Sequence, residues 1–395
     1  MDHRPRLDQA RRPRGRSAAI PIELSTTFEF DEATYADIAE HEGLVETWYG
    51  RFSNPTVEVA AEAIAVLEGA EAGVVMSSGM GAIATVLLSH LRAGDRVVAA
   101  DEVYGDTRTL LERDLTALGI DVEFVPAADL ERWEAAVAAA PTRLVYAETL
   151  SNPQLRLLDV PAVARIAHRA GALFAIDNTF ATPWMLRPLE HGADLVVHSA
   201  TKFLNGHSDV IAGAVVGAPE RILECRRRVV TLGTNLDPHA AYLLVRGLKT
   251  FEVRMERQTA SALALARALE ALDDVEQVIH PGLPSFPDRA TAERLLPADR
   301  RGAMVSLVVT GGDERATRLM HALDLPLEAT SLGGTESLIS APPTSSHIFM
   351  TADERAAIGI PPGMLRLSVG LEPVDALIAD FAQALAATPP ALPAR

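Results

Sequence analysis

From Asn54 to about residue 240 the chain alternates short, unbroken apolar runs with longer stretches of helical periodicity, and this alternation constrains the fold more than any other feature. The runs are Gly73-Val-Val-Met, Arg96-Val-Val-Ala-Ala, Val122-Glu-Phe-Val, Arg143-Leu-Val-Tyr-Ala, Leu173-Phe-Ala-Ile and Leu195-Val-Val-His. Each is the length of one strand and apolar on both faces, which suits a strand that helices cover on both sides. Between them lie helical stretches such as Ile83 to Leu91, Tyr104 to Leu118 and Val160 to Arg169, with Gly119 and Gly171 placed to stop two of them in a left-handed turn. Asn54-Pro55 supplies an N-cap followed by proline at the first helical position, and Val57, Ala61, Ile64 and Leu67 then share one face. The pattern predicts an α/β fold, a mostly parallel sheet covered by helices.

After about residue 240 the pattern changes. A long helical stretch runs from Ala240 to Leu272, and Met304-Val-Ser-Leu-Val-Val and Met364-Leu-Arg-Leu-Ser-Val alternate as half-buried strands do. This reads as a smaller α+β domain. With 395 residues, 48% of them hydrophobic, the chain can bury two cores. The expected division is an arm over 1–50, a larger domain over 51–240 and a C-terminal domain over 241–395. Thr26-Thr-Phe-Glu-Phe in the arm is apolar without local partners, so the arm is expected to lean on a neighbouring subunit.

A formal charge of −17 opposes binding to a nucleic-acid backbone, which needs a basic face. The single cysteine, Cys225, excludes an intrachain disulfide and suits a reducing compartment, so a cytoplasmic location is expected. His198 and His207 lack Cys or His partners at ligand spacing, and no metal site is expected. Met1 to Arg16 is Arg-rich but carries Asp2, Asp8 and two prolines, which reads as a flexible basic tail rather than a presequence. No run of about 18 apolar residues occurs, so no membrane span is expected.

The chemistry centres on an amine. Of 36 basic residues only Lys202 and Lys249 are lysines, and Lys202 closes the strand-end segment Leu195-Val-Val-His-Ser-Ala-Thr-Lys202. An amine, unlike a guanidinium, can lose a proton and condense with an aldehyde. Asp177 ends the neighbouring apolar run, and in a parallel sheet two such carboxyl ends open onto one crevice. A lysine imine and a carboxylate beside a pyridine nitrogen are the two groups that pyridoxal phosphate requires. Val74-Val-Met-Ser-Ser-Gly79-Met80-Gly-Ala-Ile reads as strand, tight turn and helix start, whose free backbone N–H groups would bind a phosphate monoester. Ser199 and Thr201 add hydroxyls beside the lysine.

These segments, with others, resemble the pyridoxal-phosphate enzymes of cysteine and methionine metabolism, the cystathionine γ-synthase, cystathionine γ-lyase and methionine γ-lyase group. The resemblance runs from about Thr26 to Leu385. Its motifs are Tyr49-Gly-Arg51-Phe-Ser-Asn-Pro-Thr, Ser77-Ser-Gly-Met, Asp101-Glu-Val-Tyr104-Gly, Glu148-Thr-Leu-Ser-Asn152-Pro, Asp177-Asn-Thr and His198-Ser-Ala-Thr-Lys202-Phe-Leu-Asn-Gly-His-Ser-Asp. Arg246-Gly-Leu-Lys-Thr, Ser331-Leu-Gly-Gly-Thr-Glu-Ser-Leu and Leu365-Arg366-Leu-Ser-Val-Gly-Leu-Glu complete the set.

The resemblance implies the aminotransferase-like fold of pyridoxal-phosphate transferases and a homo-oligomer: a dimer with shared sites, and by similarity a tetramer. It implies that Lys202 tethers the cofactor and moves protons, that Asp177 faces the pyridine nitrogen, that Tyr104 stacks on the ring and exchanges protons, and that Asn152 lies near the 3-hydroxyl. Gly79, Met80, Ser199 and Thr201 would hold the phosphate, with Tyr49 and Arg51 reaching it from a neighbouring subunit. Arg366 would take the substrate α-carboxylate, with Ser331, Asn152 and Tyr104 around it, since a planar guanidinium suits a carboxylate. Glu148 reads as a hydrogen-bonded structural carboxylate.

The expected reaction is γ-elimination from a sulfur amino acid, with β-elimination as a side activity, giving a 2-oxo acid, ammonia and a thiol; the alternative is γ-replacement on an activated homoserine. Four departures leave the distal end of the substrate open. Thr330 precedes Ser331 where cystathionine lyases often carry an acid, Thr109 stands where they often carry Arg, with Arg108 one step earlier, and Asp106 stands where methionine γ-lyases often carry Cys. The usual Pro-Ala-x-Met-Thr-His run is Pro342-Pro-Thr-Ser-Ser-His347.

Overall fold

A computed structural model describes residues 18–30, 32–40, 48–345, 348 and 350–390. The expected basic tail and His347 lie outside the described residues. Seven strands form the larger sheet: β1 (Ala72–Met76), β2 (Arg96–Ala100), β3 (Asp121–Val125), β4 (Leu144–Glu148), β5 (Leu173–Asp177), β6 (Leu195–His198) and β7 (Gly213–Gly217). Their order is β1-β7-β6-β5-β4-β2-β3. Strands β2 to β6 pair in parallel, and β7 is antiparallel to both β1 and β6. Every position of β2, β4, β5, β6 and β7 is buried, as unbroken apolar runs require.

The sequence pattern did not single out β7, whose Gly-Ala-Val-Val-Gly run is short and bounded by glycines. Those glycines serve close approach. A Cβ at Gly213 would lie 2.0 Å from the Ser78 carbonyl oxygen, and one at Gly217 would lie 2.7 Å from that of Asp194.

The smaller sheet holds β8 (Val275–Ile279), β9 (Met304–Val309), β10 (Leu327–Glu328), β11 (Leu338–Ser340) and β12 (Met364–Ser368) in the order β10-β11-β12-β9-β8. The half-buried pattern expected for β9 and β12 is not what the fold shows, because both strands are buried at every position. Val305, Leu307, Val309, Leu365 and Leu367 face the small domain's own core, whereas Met304, Val308 and Met364 pack into the larger cluster. The polar residues of that second face, Ser306, Arg366 and Ser368, therefore point at the larger domain instead of at solvent.

The helix Pro55–Glu68 begins as expected, with Asn54 accepting hydrogen bonds from the N–H groups of Thr56 and Val57, and ends at Gly69 in the left-handed region. Its expected face packs on the core, with Ala61 and Ile64 buried and Val57 and Leu67 against them, but the buried surface is wider than expected. Ala60 and Glu68 are inside as well, and the Glu68 carboxylate is buried because it has buried partners in His198 and Asn178. The long stretch from Ala240 is two helices, Pro238–Leu248 and Phe251–Glu270, and exposed Lys249 lies at the junction. Phe251 and Met255 belong to the larger core, while Ala262, Leu265 and Leu269 belong to the smaller, so the second helix links the two.

Side-chain bonds fasten the halves. Arg156 donates twice to Asp288, at 2.8 Å each, Asp288 also accepts from the Leu157 N–H, and the Ser306 hydroxyl donates to the Pro153 carbonyl. The described part of the arm is held at the start of the Pro55 helix, where the Glu23 N–H donates to Thr56 and the Asn54 amide donates to the Glu23 carbonyl. Its Ile22, Leu24, Phe30 and Tyr35 are exposed in the single chain. Among the described residues no helix is long and apolar enough to cross a membrane, and no group of three His, Cys, Asp or Glu side chains is placed to hold a metal.

Candidate active site

The carboxyl ends of β4, β5 and β6 lie side by side at the centre of the larger sheet, and β12 presents Arg366 from the smaller one. Lys202 sits in the turn after β6, where its N–H donates to the Ser199 carbonyl and its own carbonyl accepts from Gly206. Its ammonium nitrogen donates to the Ser331 hydroxyl at 2.7 Å. Ser331 holds a left-handed φ of 83°, and two residues on, a Cβ at Gly333 would lie 2.5 Å from the Phe203 amide nitrogen. Only glycine at 333 lets this loop reach the lysine turn. Burial, with the nearby Arg366 charge, lowers the Lys202 amine to about 8.

Arg366 is buried, donates to the Asn152 side-chain oxygen at 3.1 Å and to the Ser331 carbonyl at 2.9 Å, and lies 6.0 Å from the centroid of the Phe180 ring. Among the described residues its Nε has no partner. A buried cation with a donor left over is one that an incoming carboxylate would satisfy. Asp177 ends β5 in register with Glu148 of β4, so two buried carboxylates stand together. Asp177 accepts from the Thr179 N–H at 2.8 Å, and Glu148 accepts from the Tyr104 N–H at 2.6 Å, the structural role expected of Glu148. Burial raises both carboxyls, and the charge of Asp177 adds to the rise at Glu148. A cation beside Asp177 would relieve that strain, and a protonated pyridine nitrogen is such a cation.

Tyr104 stands at the start of the helix Gly105–Thr109 and is partly exposed. Burial and a hydrogen bond with Asp106 push its hydroxyl up to about 12, so the phenol keeps its proton. Ser78 caps the helix Gly79–His90 through the Gly81 N–H, leaving the first N–H groups, at Gly79 and Met80, at the open helix end. A Cβ on Gly79 would lie 2.7 Å from that of Ser199, so the turn and the lysine segment touch. Ser199 is fixed by its N–H donating to the Thr179 hydroxyl at 2.8 Å. The Thr201 hydroxyl bridges the Ala212 backbone, donating to its carbonyl and accepting from its N–H.

Lys202, Arg366, Ser331, Asn152, Tyr104 and Asp177 thus converge, and Gly79, Met80 and Ser199 form an adjoining cradle. Tyr49 and Arg51 do not join them within the chain: Arg51 donates to the Val230 carbonyl and lies over the Tyr49 and Phe52 rings. Sequence reasoning missed Thr179, which positions both Asp177 and Ser199, and Phe180 beneath Arg366. They directly follow Asp177-Asn, so their place in the motif was the available signal. A separate groove of about 690 Å³, lined by His90, Arg92, Arg143 and Arg228 among others, lies by the amino ends of β2 and β4, which Asp95 and Arg143 directly precede.

Residues 6–386 match the family model for Cys/Met metabolism PLP-dependent enzymes. The chain belongs to that family. It is 41% identical to an L-methionine gamma-lyase of Pseudomonas putida over 95% of this chain and 94% of that one. It is also 41% identical to an O-succinylhomoserine sulfhydrylase of Pseudomonas aeruginosa, over 97% and 94%. A cystathionine gamma synthase of Xanthomonas oryzae pv. oryzae, solved with aminoacrylate and cysteine, superposes with a TM-score of 0.87 at 38% identity, covering 93% of this chain and 92% of that one. A family member of this fold is a pyridoxal-phosphate-dependent enzyme of sulfur amino-acid metabolism, and the residues present fit the cofactor: an amine of lowered basicity, a buried carboxylate pair in need of a cation, and an open helix end.

Proposed function

We propose that this enzyme is a carbon–sulfur lyase that performs γ-elimination on a thioether amino acid of the methionine class, releasing a 2-oxo acid, ammonia and a thiol. The observation that carries the choice is the fate of the helix after Tyr104. Arg108 lies 4.4 Å over the Phe124 ring and donates to the Asp101 carbonyl, and the Thr109 hydroxyl donates to the Gly105 carbonyl. This segment therefore offers no cation to a second carboxylate at the distal end of a substrate, which cystathionine would carry and methionine would not. The family relatives named as methionine gamma-lyases support the same reading.

When bound, pyridoxal phosphate supplies the electron sink that makes the α-proton of an amino acid removable. Asp177 would hold the pyridine nitrogen protonated. Arg366, with its unpaired Nε, would fix the α-carboxylate, and Asn152 and Ser331 hold that guanidinium in place. Lys202, its basicity lowered by burial, would take the α-proton and move one from Cβ, while Tyr104 would protonate the departing sulfur. Gly79, Met80, Ser199 and Thr201 would hold the phosphate, with Tyr49 and Arg51 of a neighbouring subunit completing a shared-site dimer, two of which form a tetramer.

The sulfhydrylase relative supports a second reading, γ-replacement on an activated homoserine. Incubation with methionine, cystathionine and O-acylated homoserines, with and without cysteine, separates the two. Elimination predicts 2-oxobutanoate and a volatile thiol from methionine; a thioether product with no 2-oxobutanoate would establish replacement.

A further inference from the structure

Arg254 is buried in the second turn of the helix Phe251–Glu270, 4% exposed, and among the described residues no carboxylate pairs with it. Its guanidinium donates to four backbone carbonyls, those of Phe203 (2.9 Å), Leu204 (3.3 Å), Asn205 (3.4 Å) and Gly247 (3.1 Å), and its Nε donates to the Thr250 hydroxyl at 3.2 Å. Three of those carbonyls belong to the residues directly after Lys202. The packing is built around this cation. Gly206 has a φ of 72°, and a Cβ there would lie 1.9 Å from the Arg254 Nη1. A Cβ on Gly247 would lie 2.2 Å from the Asn205 carbonyl oxygen. From the other side, Gln258, one helical turn along from Arg254, donates to the Gly334 carbonyl, in the loop whose Ser331 accepts from Lys202.

Burying an unpaired guanidinium is costly, and burial lowers its basicity to about 10. An apolar side chain would fill the space without that cost, so what the arginine supplies is a fixed array of donors on one turn. We propose that Arg254 is a positioning residue for Lys202, which clamps the Phe203–Asn205 carbonyls so that the lysine main chain stays fixed while its side chain swings between cofactor and substrate. Lys202 has to transfer protons at two carbons of the substrate, and such a swing is productive only from a rigid pivot. Arg254 contacts neither the substrate groups nor the phosphate cradle.

This rests on the reading of Lys202 as the cofactor-bearing amine, and the test separates the two. Cofactor-loaded parent, Arg254→Met and Arg254→Lys are compared by thermal unfolding, by the pH midpoint of the cofactor's visible absorbance, and by kcat and KM. The expected result is a kcat about 100-fold lower in Arg254→Met with a much smaller change in KM, the loss produced by roughly an ångström of misplacement. The absorbance midpoint moves with it, and Arg254→Lys, which keeps a cation and some donors, falls between. If Arg254→Met yields no folded protein, Arg254→Lys against the parent gives the same comparison. Variants that lose thermal stability yet keep the parental midpoint and kcat would overturn the clamp and leave Lys202's role intact. A parent with no pH-dependent cofactor band would overturn both.

Discussion

At the residue scale the site is organised by what burial does to charge. Burial, with the Arg366 charge, lowers the Lys202 amine to about 8, so the neutral amine is reached at a lower pH than for an ordinary lysine. Capture of pyridoxal phosphate by the cofactor-free enzyme should then quicken as pH rises through about 8, and Arg366→Met should move that midpoint upward by removing a repelling cation. Stopped-flow absorbance across pH checks both, and an unmoved midpoint would show that Arg366 does not set it. The sign for stability follows: Lys202 binds its proton less readily folded than unfolded, so its contribution to the cofactor-free chain improves from about 8 toward the ordinary 10.5. Lys202→Ala should abolish turnover while folding normally, measured by keto-acid release.

At the scale of elements, a turn binds phosphate only if its neighbours can come close enough. The Gly79 turn, Ser199 and β7 meet where glycine removes the side chains. Gly79→Ala adds a Cβ 2.7 Å from that of Ser199 and should push the helix end and the lysine segment apart. Cofactor affinity should fall by at least about tenfold, an effect of about 1.4 kcal/mol, while the fold persists; equilibrium dialysis of the variant measures it. Helix capping, by contrast, was legible in the residues themselves. Asn54 caps the helix that Pro55 opens, and Gly69 ends it, because those bonds are made within a few positions of sequence.

At the scale of the whole molecule the two halves make one site, since Lys202 comes from one sheet and Arg366 from the other. Asp288 joins them by accepting from Arg156 and Leu157, and Asp288→Ala should cost about 2 kcal/mol by leaving a partly buried guanidinium unpaired. Chemical denaturation measures that loss. The proposed partner subunit would cover the exposed apolar arm and take up the outlying Tyr49 and Arg51. If sites are shared, refolding a mixture of inactive Arg51→Ala and Lys202→Ala enzymes should restore part of the parental activity, because some hybrid sites carry neither substitution. Recovery of none would show that Arg51 does not serve the site of a neighbouring subunit.

The sequence by itself determined the strand and helix alternation, the strand-end places of Lys202 and Asp177, the helix-opening turn at Gly79 and the motifs that carry Tyr104, Asn152 and Arg366. All of these are patterns of polarity and backbone preference written over a few neighbouring residues. The tertiary structure decided which face of β9 and β12 looks into the crevice, that Glu68 is buried, that the stretch from Ala240 breaks near Lys249, and that Arg254 grips the lysine turn. Each depends on partners far away in the chain, and local periodicity has no term for a carbonyl or carboxylate that arrives only when the sheets and helices pack.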